Sequence, residues 1–151
     1  DMFNKAKTPP EGKRYNIEIS MLEIYMDDVF DLLGPRQKNR RPLKIFNMKD
    51  QVVVYDPKDR KNKNLIWRAC STYEQAEEFR KIGDGNRTVR KTGMNDSSSR
   101  GHTVFTIRFT EQTNESGEWT DRFSSKINLV DLAGSERPAD TGLTGIGLEE
   151  G

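Results

Sequence analysis

The sequence has few of the features that mark secreted or membrane-spanning proteins. Cys70 is the only cysteine among its 151 residues, so no intrachain disulfide can form. No apolar run approaches the roughly 18 residues of a transmembrane helix. The first residues are polar and charged, and we expect no signal peptide there. These absences exclude a disulfide scaffold and favour a reducing compartment.

Net charge is also nearly absent, at +1 for the whole chain, but it is unevenly distributed. Residues 36–63 carry ten basic and three acidic side chains, so this stretch is +7 and the remainder is −6. A local excess of this kind favours contact with a polyanionic surface. We name residues 36–63 the basic stretch.

Apolar periodicity predicts several strands and two helices, in a chain of single-domain length. Strands are predicted over 14–25, 43–46, 52–55, 65–70 and 105–109 and over the apolar run 127–132, with a turn at 114–117. A short helix is predicted over 29–33, because two acids precede it and Gly34-Pro35 follows it. Ser71 and Glu74 have capping-box spacing, which predicts a helix over 72–82 that Gly83 and Gly85 interrupt or end. From this pattern alone the fold class is α/β or α+β.

A first segment with chemical character runs from Lys126 to Arg137 and reads K-I-N-L-V-D-L-A-G-S-E-R. An apolar strand ends at Asp131, and Gly134 follows three residues later. A carboxylate at a strand end suits Mg²⁺, and glycine lets a backbone N–H approach a terminal phosphate closely. The plainer interpretation is a buried strand that stops at a turn capped by Asp131.

A second segment spans residues 95–102 and reads N-D-S-S-S-R-G-H. Small hydroxyls followed by arginine suit a loop that contacts phosphate oxygens or Mg²⁺. The plainer interpretation is a polar turn before the strand that starts near Thr103. A lone histidine such as His102 is more often structural than catalytic, so we assign it no proton transfer.

Together these segments resemble the kinesin motor family, whose first switch reads N-x-x-S-S-R-S-H and whose second reads D-L-A-G-S-E. Residues 131–136 match the second switch throughout, whereas Gly101 replaces the last serine of the first. The blocks L-E-I-Y at 22–25, D-L-L at 31–33, N-R at 86–87 and T-G-M at 92–94 also occur in the family's order. The 86–88 and 139–142 segments resemble the vesicle-transporting members.

The resemblance implies an α/β fold: a partial P-loop NTPase core of the kinesin and myosin type, with a mixed central sheet flanked by helices. Residues 1–151 would form one partial motor domain, without the N-terminal phosphate-binding part and the C-terminal microtubule-binding helices. No G-x-x-x-x-G-K-[ST] loop occurs in the sequence. We therefore expect the strand that bears Asp131 to present an open edge.

The resemblance also implies a site for ATP and Mg²⁺. Ser99 would ligate Mg²⁺, Asp131 would contact it through water, and Ser98 and the Gly134 N–H would contact the γ-phosphate. Arg100 and Glu136 would form an ion pair between the switches. Asn95 would brace the first switch and Arg87 would support both.

By the same resemblance the chain belongs to a microtubule-stimulated ATPase of the cytoplasm and cytoskeleton. Lys58, Arg60, Lys61 and Lys63 would form a secondary contact with tubulin, although a solvated basic loop explains them equally well. The alternative is a non-catalytic kinesin-like module that binds microtubules or another partner. A general GTPase lacks support because no base-recognition motif is visible. No aromatic interleaving favours nucleic acid, and we expect no membrane insertion.

Overall fold

The computed structural model describes residues 2–25, 27–34, 42–48, 51–58, 65–93 and 101–133. Its elements are α1 (Met2–Lys7), β1 (Lys13–Tyr25), β2 (Asp28–Asp31), β3 (Lys44–Met48), β4 (Gln51–Tyr55), β5 (Arg68–Ala69), α2 (Tyr73–Gly93), β6 (Gly101–Glu115) and β7 (Glu118–Asp131). The larger sheet has the order β2-β1-β6-β7, with β5 also on β1, and β3-β4 form a separate hairpin. All of the strand pairs in the described ranges are antiparallel. The α/β prediction is confirmed, whereas the central sheet that was predicted to be mixed is antiparallel throughout its described part.

The long strand β1 is the centre of the core. Its alternate residues Ile17, Ile19 and Met21 are buried in one cluster with Phe3 of α1 and Ala76 of α2. Both helices therefore cover the same face of the sheet. Leu22, on the opposite face, packs with Val29 and Leu43 beneath the small hairpin.

The short helix predicted over 29–33 is wrong, because those residues begin as strand β2. The chain reverses between Tyr25 and Asp28, which are paired, and Asp27 has a φ of 65° that an aspartate tolerates in a tight turn. The strand then ends at a turn organised by Asp31. Its carboxylate accepts the N–H of Leu33 at 2.8 Å and of Gly34 at 3.0 Å on one oxygen, and that of Ile66 at 2.8 Å on the other.

Helix α2 continues past Gly83 and Gly85, where the sequence predicted a break. Gly83 is buried, and a Cβ built there would lie 2.1 Å from the Sδ of Met21. The glycine thus permits close approach of the helix to β1. The N-cap is also shifted by one residue from the predicted box: Thr72 Oγ1 accepts the Gln75 N–H at 3.2 Å, and Gln75 Oε1 accepts the Ser71 N–H at 2.7 Å.

The β6–β7 hairpin agrees with the predicted turn over 114–117. Asn114 Oδ1 accepts the N–H of Gly117 at 2.9 Å, and Ser116 and Gly117 have positive φ. Strand β7 stands at the end of the described sheet order. Its exposed large hydrophobic side chains are Trp119, Phe123, Ile127, Leu129 and Val130, and Leu132 follows just after the strand.

Within the described ranges, no helix combines the length and the apolar character that crossing a bilayer requires.

Candidate functional site

The candidate site begins as one row of residues across three strands. Glu23 of β1 is paired with Thr103 of β6, and Thr103 is paired with Asp131 of β7. Directly paired residues project from the same face of a sheet. The two carboxylates therefore flank Thr103 on the face that α2 covers.

Arg87 lies over this row because the spacings of helix and strand match. From Gly83 to Arg87 α2 rises about 6 Å, while from Met21 to Glu23 β1 advances about 7 Å. The Gly83–Met21 contact thus places Arg87 at the level of Glu23. Asn86 secures this turn of the helix, because its Nδ2 donates to the carbonyl oxygen of Leu32 at 2.7 Å.

The Arg87 guanidinium joins the ends of two strands. Its Nη2 donates to the Gly101 carbonyl oxygen at 3.0 Å, and its Nη1 donates to Asp131 Oδ2 at 3.1 Å. Its Nε lies 3.8 Å from Glu23 Oε1. Gly101 begins β6 and Asp131 ends β7, so one side chain contacts the first residue of β6 and the last residue of β7.

A second hydrogen bond connects the start of β6 to the residues that follow β7. The N–H of Ala133 donates to Nδ1 of His102 at 2.9 Å. Residue 133 directly precedes Gly134 of the D-L-A-G segment, and residue 102 is the last of the N-x-x-S-S-R-G-H segment. This hydrogen bond therefore links the D-L-A-G segment to the last residue of the N-x-x-S-S-R-G-H segment.

Burial differs sharply between the two carboxylates. The side chain of Glu23 is 6% exposed and that of Asp131 is 72% exposed, whereas Arg87 between them is 18% exposed. Glu23 is therefore a nearly dry partner for the arginine. Asp131 faces solvent and has room to contact a further ligand.

Of the predicted site residues, the structure brings together Arg87 and Asp131. The other predicted site residues, except Lys58, lie outside the described ranges: Asn95, Ser98, Ser99 and Arg100 in 94–100, Gly134 and Glu136 in 134–151, and Arg60, Lys61 and Lys63 in 59–64. Lys58 is described and exposed, and its backbone N–H donates to Asp56 Oδ1 at 2.9 Å. The roles of these residues stay predictions.

Sequence reasoning missed Glu23 and the contact of His102. A signal for Glu23 was present, since an acid continues the alternation of Ile17, Ile19 and Met21 on a face that is otherwise apolar. The partner of His102 had no comparable signal, because it lies 31 residues away and donates a backbone N–H.

The donor chemistry suits Mg²⁺, which prefers hard oxygen ligands and usually keeps several waters. Asp131 offers an exposed carboxylate. Within the described ranges, no group of three or more His, Cys, Asp or Glu side chains could hold a metal ion.

The architecture is that of an α/β protein in which the start of β6 and the end of β7 lie beside a common arginine. The model of the kinesin motor domain matches residues 1–151. The chain belongs to the kinesin motor-domain family.

Individual relatives agree with this assignment. The chain is 44% identical over 138 residues to kinesin-like protein KIF16B of Mus musculus, which covers 91% of this chain and 10% of that protein. It is 35% identical over 153 residues to kinesin-like protein KIF1A of Rattus norvegicus, covering 100% of this chain and 8% of the relative. The chain therefore spans about a tenth of the length of these curated relatives.

A solved structure extends the likeness to three dimensions. It is a fast kinesin, described with implications for its ATPase mechanism and its interactions with microtubules. The TM-score is 0.72 at 33% identity, covering 98% of this chain and 38% of that one.

Proposed function

We propose that this chain supplies the two nucleotide-sensing segments, residues 95–102 and 131–136, of an ATP-driven microtubule motor. Membership of the kinesin motor-domain family supports this function. The observation that carries it is the double contact of Arg87, at 3.0 Å to the Gly101 carbonyl and 3.1 Å to Asp131. A displacement of either segment can therefore move the other, because both contact the Arg87 side chain.

In this proposal the site binds the terminal phosphate of ATP together with Mg²⁺. Bound Mg²⁺ neutralises phosphate oxygens, and ATP supplies the γ-phosphoryl group. The Ser99 hydroxyl would hold the metal directly and the Asp131 carboxylate through water. The phosphate-binding loop would come from another part of the motor.

Four groups position the reacting atoms. Ser98 orients the γ-phosphate and the attacking water, and the Gly134 N–H donates to the γ-phosphate. Asn95 stabilises the first segment, while Arg87 contacts Gly101 of the first segment and Asp131 of the second. Because phosphoryl transfer needs positioning and charge stabilisation more than covalent help, such polar groups suffice for the protein's part.

Arg100 and Glu136 act as a latch between the two segments. Their ion pair forms when the segments close around the γ-phosphate and opens after its release. Removing one partner of such a desolvated pair costs about 3–5 kcal/mol, enough to prevent closure.

The partner of the motor is the acidic surface of the microtubule, in the cytoplasm. Lys58, Arg60, Lys61 and Lys63 of the basic stretch would supply a secondary electrostatic contact. Such a contact weakens steeply as salt rises. Salt-insensitive co-sedimentation with microtubules would count against this contact.

The test is Glu136→Ala in a complete motor built around residues 1–151. We expect ATP to bind with near-normal affinity while steady-state ATP turnover, with and without microtubules, is lost. Normal turnover in this variant would refute the latch. Glu118→Ala, at the far end of β7, is the matched control and should retain turnover.

A second candidate is a kinesin-like module that binds microtubules or another partner without hydrolysing ATP. The replacement of the family's serine by Gly101 favours it, because one hydroxyl is lost from the first segment. The same motor separates the candidates. Microtubule binding without any ATP turnover in the unaltered sequence would support the non-catalytic module.

A further inference from the structure

The turn that follows β2 is organised by one carboxylate on a rigid base. Oδ1 of Asp31 accepts the N–H groups of Leu33 and Gly34. Leu32 and Leu33 are 0% and 2% exposed and pack in the core with Ile19. The Asp31 side chain is therefore held in a fixed place relative to the main sheet.

The second oxygen of Asp31 holds the chain where it returns from the β3–β4 hairpin. The N–H of Ile66 donates to Oδ2 at 2.8 Å. The preceding N–H, that of Leu65, donates to the carbonyl oxygen of Val54 in β4 at 3.2 Å. Residues 65 and 66 thus form a bridge between the hairpin and the turn that follows β2.

The hairpin is also attached to the main sheet at its opposite end. The N–H of Leu43 donates to the carbonyl oxygen of Val29 at 2.7 Å, and the two side chains pack together with Leu22. An attachment before β3 alone would leave the hairpin able to pivot. Together with the bridge after β4, it fixes the orientation of the hairpin.

Lys58 lies three residues beyond β4 and is attached to the end of that strand. Its N–H donates to Oδ1 of Asp56 at 2.9 Å, and Asp56 is 8% exposed. The Lys58 backbone therefore follows the hairpin. The orientation of the hairpin determines where this lysine presents its charge.

A carboxylate suits residue 31 because it offers acceptors on two oxygens. An asparagine amide has one oxygen and an NH₂ group, so it can accept on one side but presents a donor to the N–H on the other. A charged acceptor also forms stronger hydrogen bonds than a neutral one. Replacing Asp31 by asparagine should therefore release either the turn or Ile66.

We propose that Asp31 is a positioning residue for the microtubule contact, because it holds the β3–β4 hairpin and Lys58 in a fixed orientation on the motor. The identity of the partner rests on the proposed function. The link from Asp31 through residues 65 and 66 to the hairpin is independent of that function.

The test measures microtubule-activated ATP turnover in a complete motor built around residues 1–151. Asp31→Asn removes one negative charge, and so does the matched control, Asp28→Asn. Asp28 also lies on β2, and its Oδ1 is 3.7 Å from Nζ of Lys44 in the hairpin. Charge alone would make both variants bind the acidic microtubule more tightly. Loss of positioning predicts weaker binding for Asp31→Asn.

We expect Asp31→Asn to raise the KM for microtubules about threefold to tenfold at low salt, since several exposed charge pairs are misplaced together. This difference should shrink as salt rises. Basal turnover and kcat should stay within about twofold of the unaltered motor, because only binding is weakened. Asp28→Asn should leave KM unchanged or lower it. If Asp31→Asn behaves like Asp28→Asn, or loses kcat together with microtubule affinity, the positioning role is wrong.

Amide hydrogen exchange tests the bridge directly. In the unaltered motor the Ile66 N–H should exchange at least about tenfold more slowly than in an unstructured peptide. Asp31→Asn should remove most of this protection, and Asp28→Asn should retain it. Exchange of Ile66 at the unstructured rate in the unaltered motor would overturn the proposal, even if Asp31→Asn does not fold.

Two outcomes separate the positioning role from the proposed function. If the unaltered motor does not bind microtubules, the proposed function fails, while the exchange of Ile66 still reports on Asp31. If microtubule activation is normal and Asp31→Asn leaves KM unchanged, only the positioning role fails.

Discussion

Ala133 donates its backbone N–H to Nδ1 of His102 at 2.9 Å, across 31 residues of sequence. A ring nitrogen that accepts a hydrogen bond carries no proton, so the proton of the neutral imidazole lies on Nε2. This single bond ties the start of β6 to the residue that precedes Gly134.

A substitution of His102 should free the Ala133 N–H from its hydrogen bond only if the new side chain has no acceptor near the position of Nδ1. In His102→Leu we expect the Ala133 N–H to exchange with solvent about fivefold faster, since a hydrogen bond contributes about 1 kcal/mol. His102→Asn places an amide oxygen near the position of Nδ1 and should keep the slower exchange. Equal exchange rates in the two variants, measured by NMR, would show that the acceptor is irrelevant.

Substitution of Gly83 by alanine should destabilise the protein, even though alanine favours helix by about 1 kcal/mol. A Cβ at this position would lie 2.1 Å from Met21 Sδ, and overpacking of this kind costs about 1–3 kcal/mol. The melting temperature of a complete motor built around residues 1–151 is the measurement.

Gly85→Ala is the control, since residue 85 projects about 200° around the helix from residue 83. It should raise the melting temperature slightly. A higher melting temperature for Gly83→Ala as well would refute the close packing of α2 on β1.

The Cys70 thiol should react only under strongly alkaline conditions. Burial and, to a lesser extent, the negative charge of Glu18 raise the pKa of Cys70 to about 11. Because the folded pKa exceeds the unfolded one, this contribution to stability is complete below the unfolded pKa and is lost as pH rises toward about 11.

The rate of iodoacetamide labelling, followed by mass spectrometry across pH, checks this. In the folded protein we expect the midpoint near pH 11, and in guanidinium chloride at the ordinary value for a thiol. Identical profiles in the two conditions would contradict the raised pKa.

The exposed apolar residues of β7 should make the isolated polypeptide of residues 1–151 aggregate. Leu129 is 56% exposed on this edge strand, and Phe46 is 55% exposed on the β3–β4 hairpin. Leu129→Lys should therefore raise the soluble fraction after centrifugation, and Phe46→Lys should raise it less. An equal gain from both would show that the edge position of β7 has no special effect.

Local patterns predicted much of the sheet. The alternation of Ile17, Ile19 and Met21 predicted β1, and the Asn114–Gly117 turn predicted the hairpin of β6 and β7. These features depend on residues close together in sequence. The short β2 was mistaken for a helix because the turn after it depends on Asp31 accepting a bond from Ile66, which lies 35 residues away.

Contacts between residues distant in sequence also limited the prediction of the site. Motifs singled out Arg87 and Asp131, but their hydrogen bond joins residues 44 positions apart and depends on how α2 packs against β1. The length of α2 was underestimated for the same reason. Gly83 predicts a helix end locally, whereas in the fold it makes room for Met21.

The central claim is that residues 95–102 and 131–136 surround the end of one triphosphate. Paramagnetic Mn²⁺ bound with a non-hydrolysable ATP analogue, in place of Mg²⁺ in a complete motor built around residues 1–151, tests it directly. The account predicts that the amide NMR signals of Ser99, Asp131 and Gly134 are all broadened, while those of Val53 and Val54 in β4 remain. Broadening of one segment without the other would contradict it.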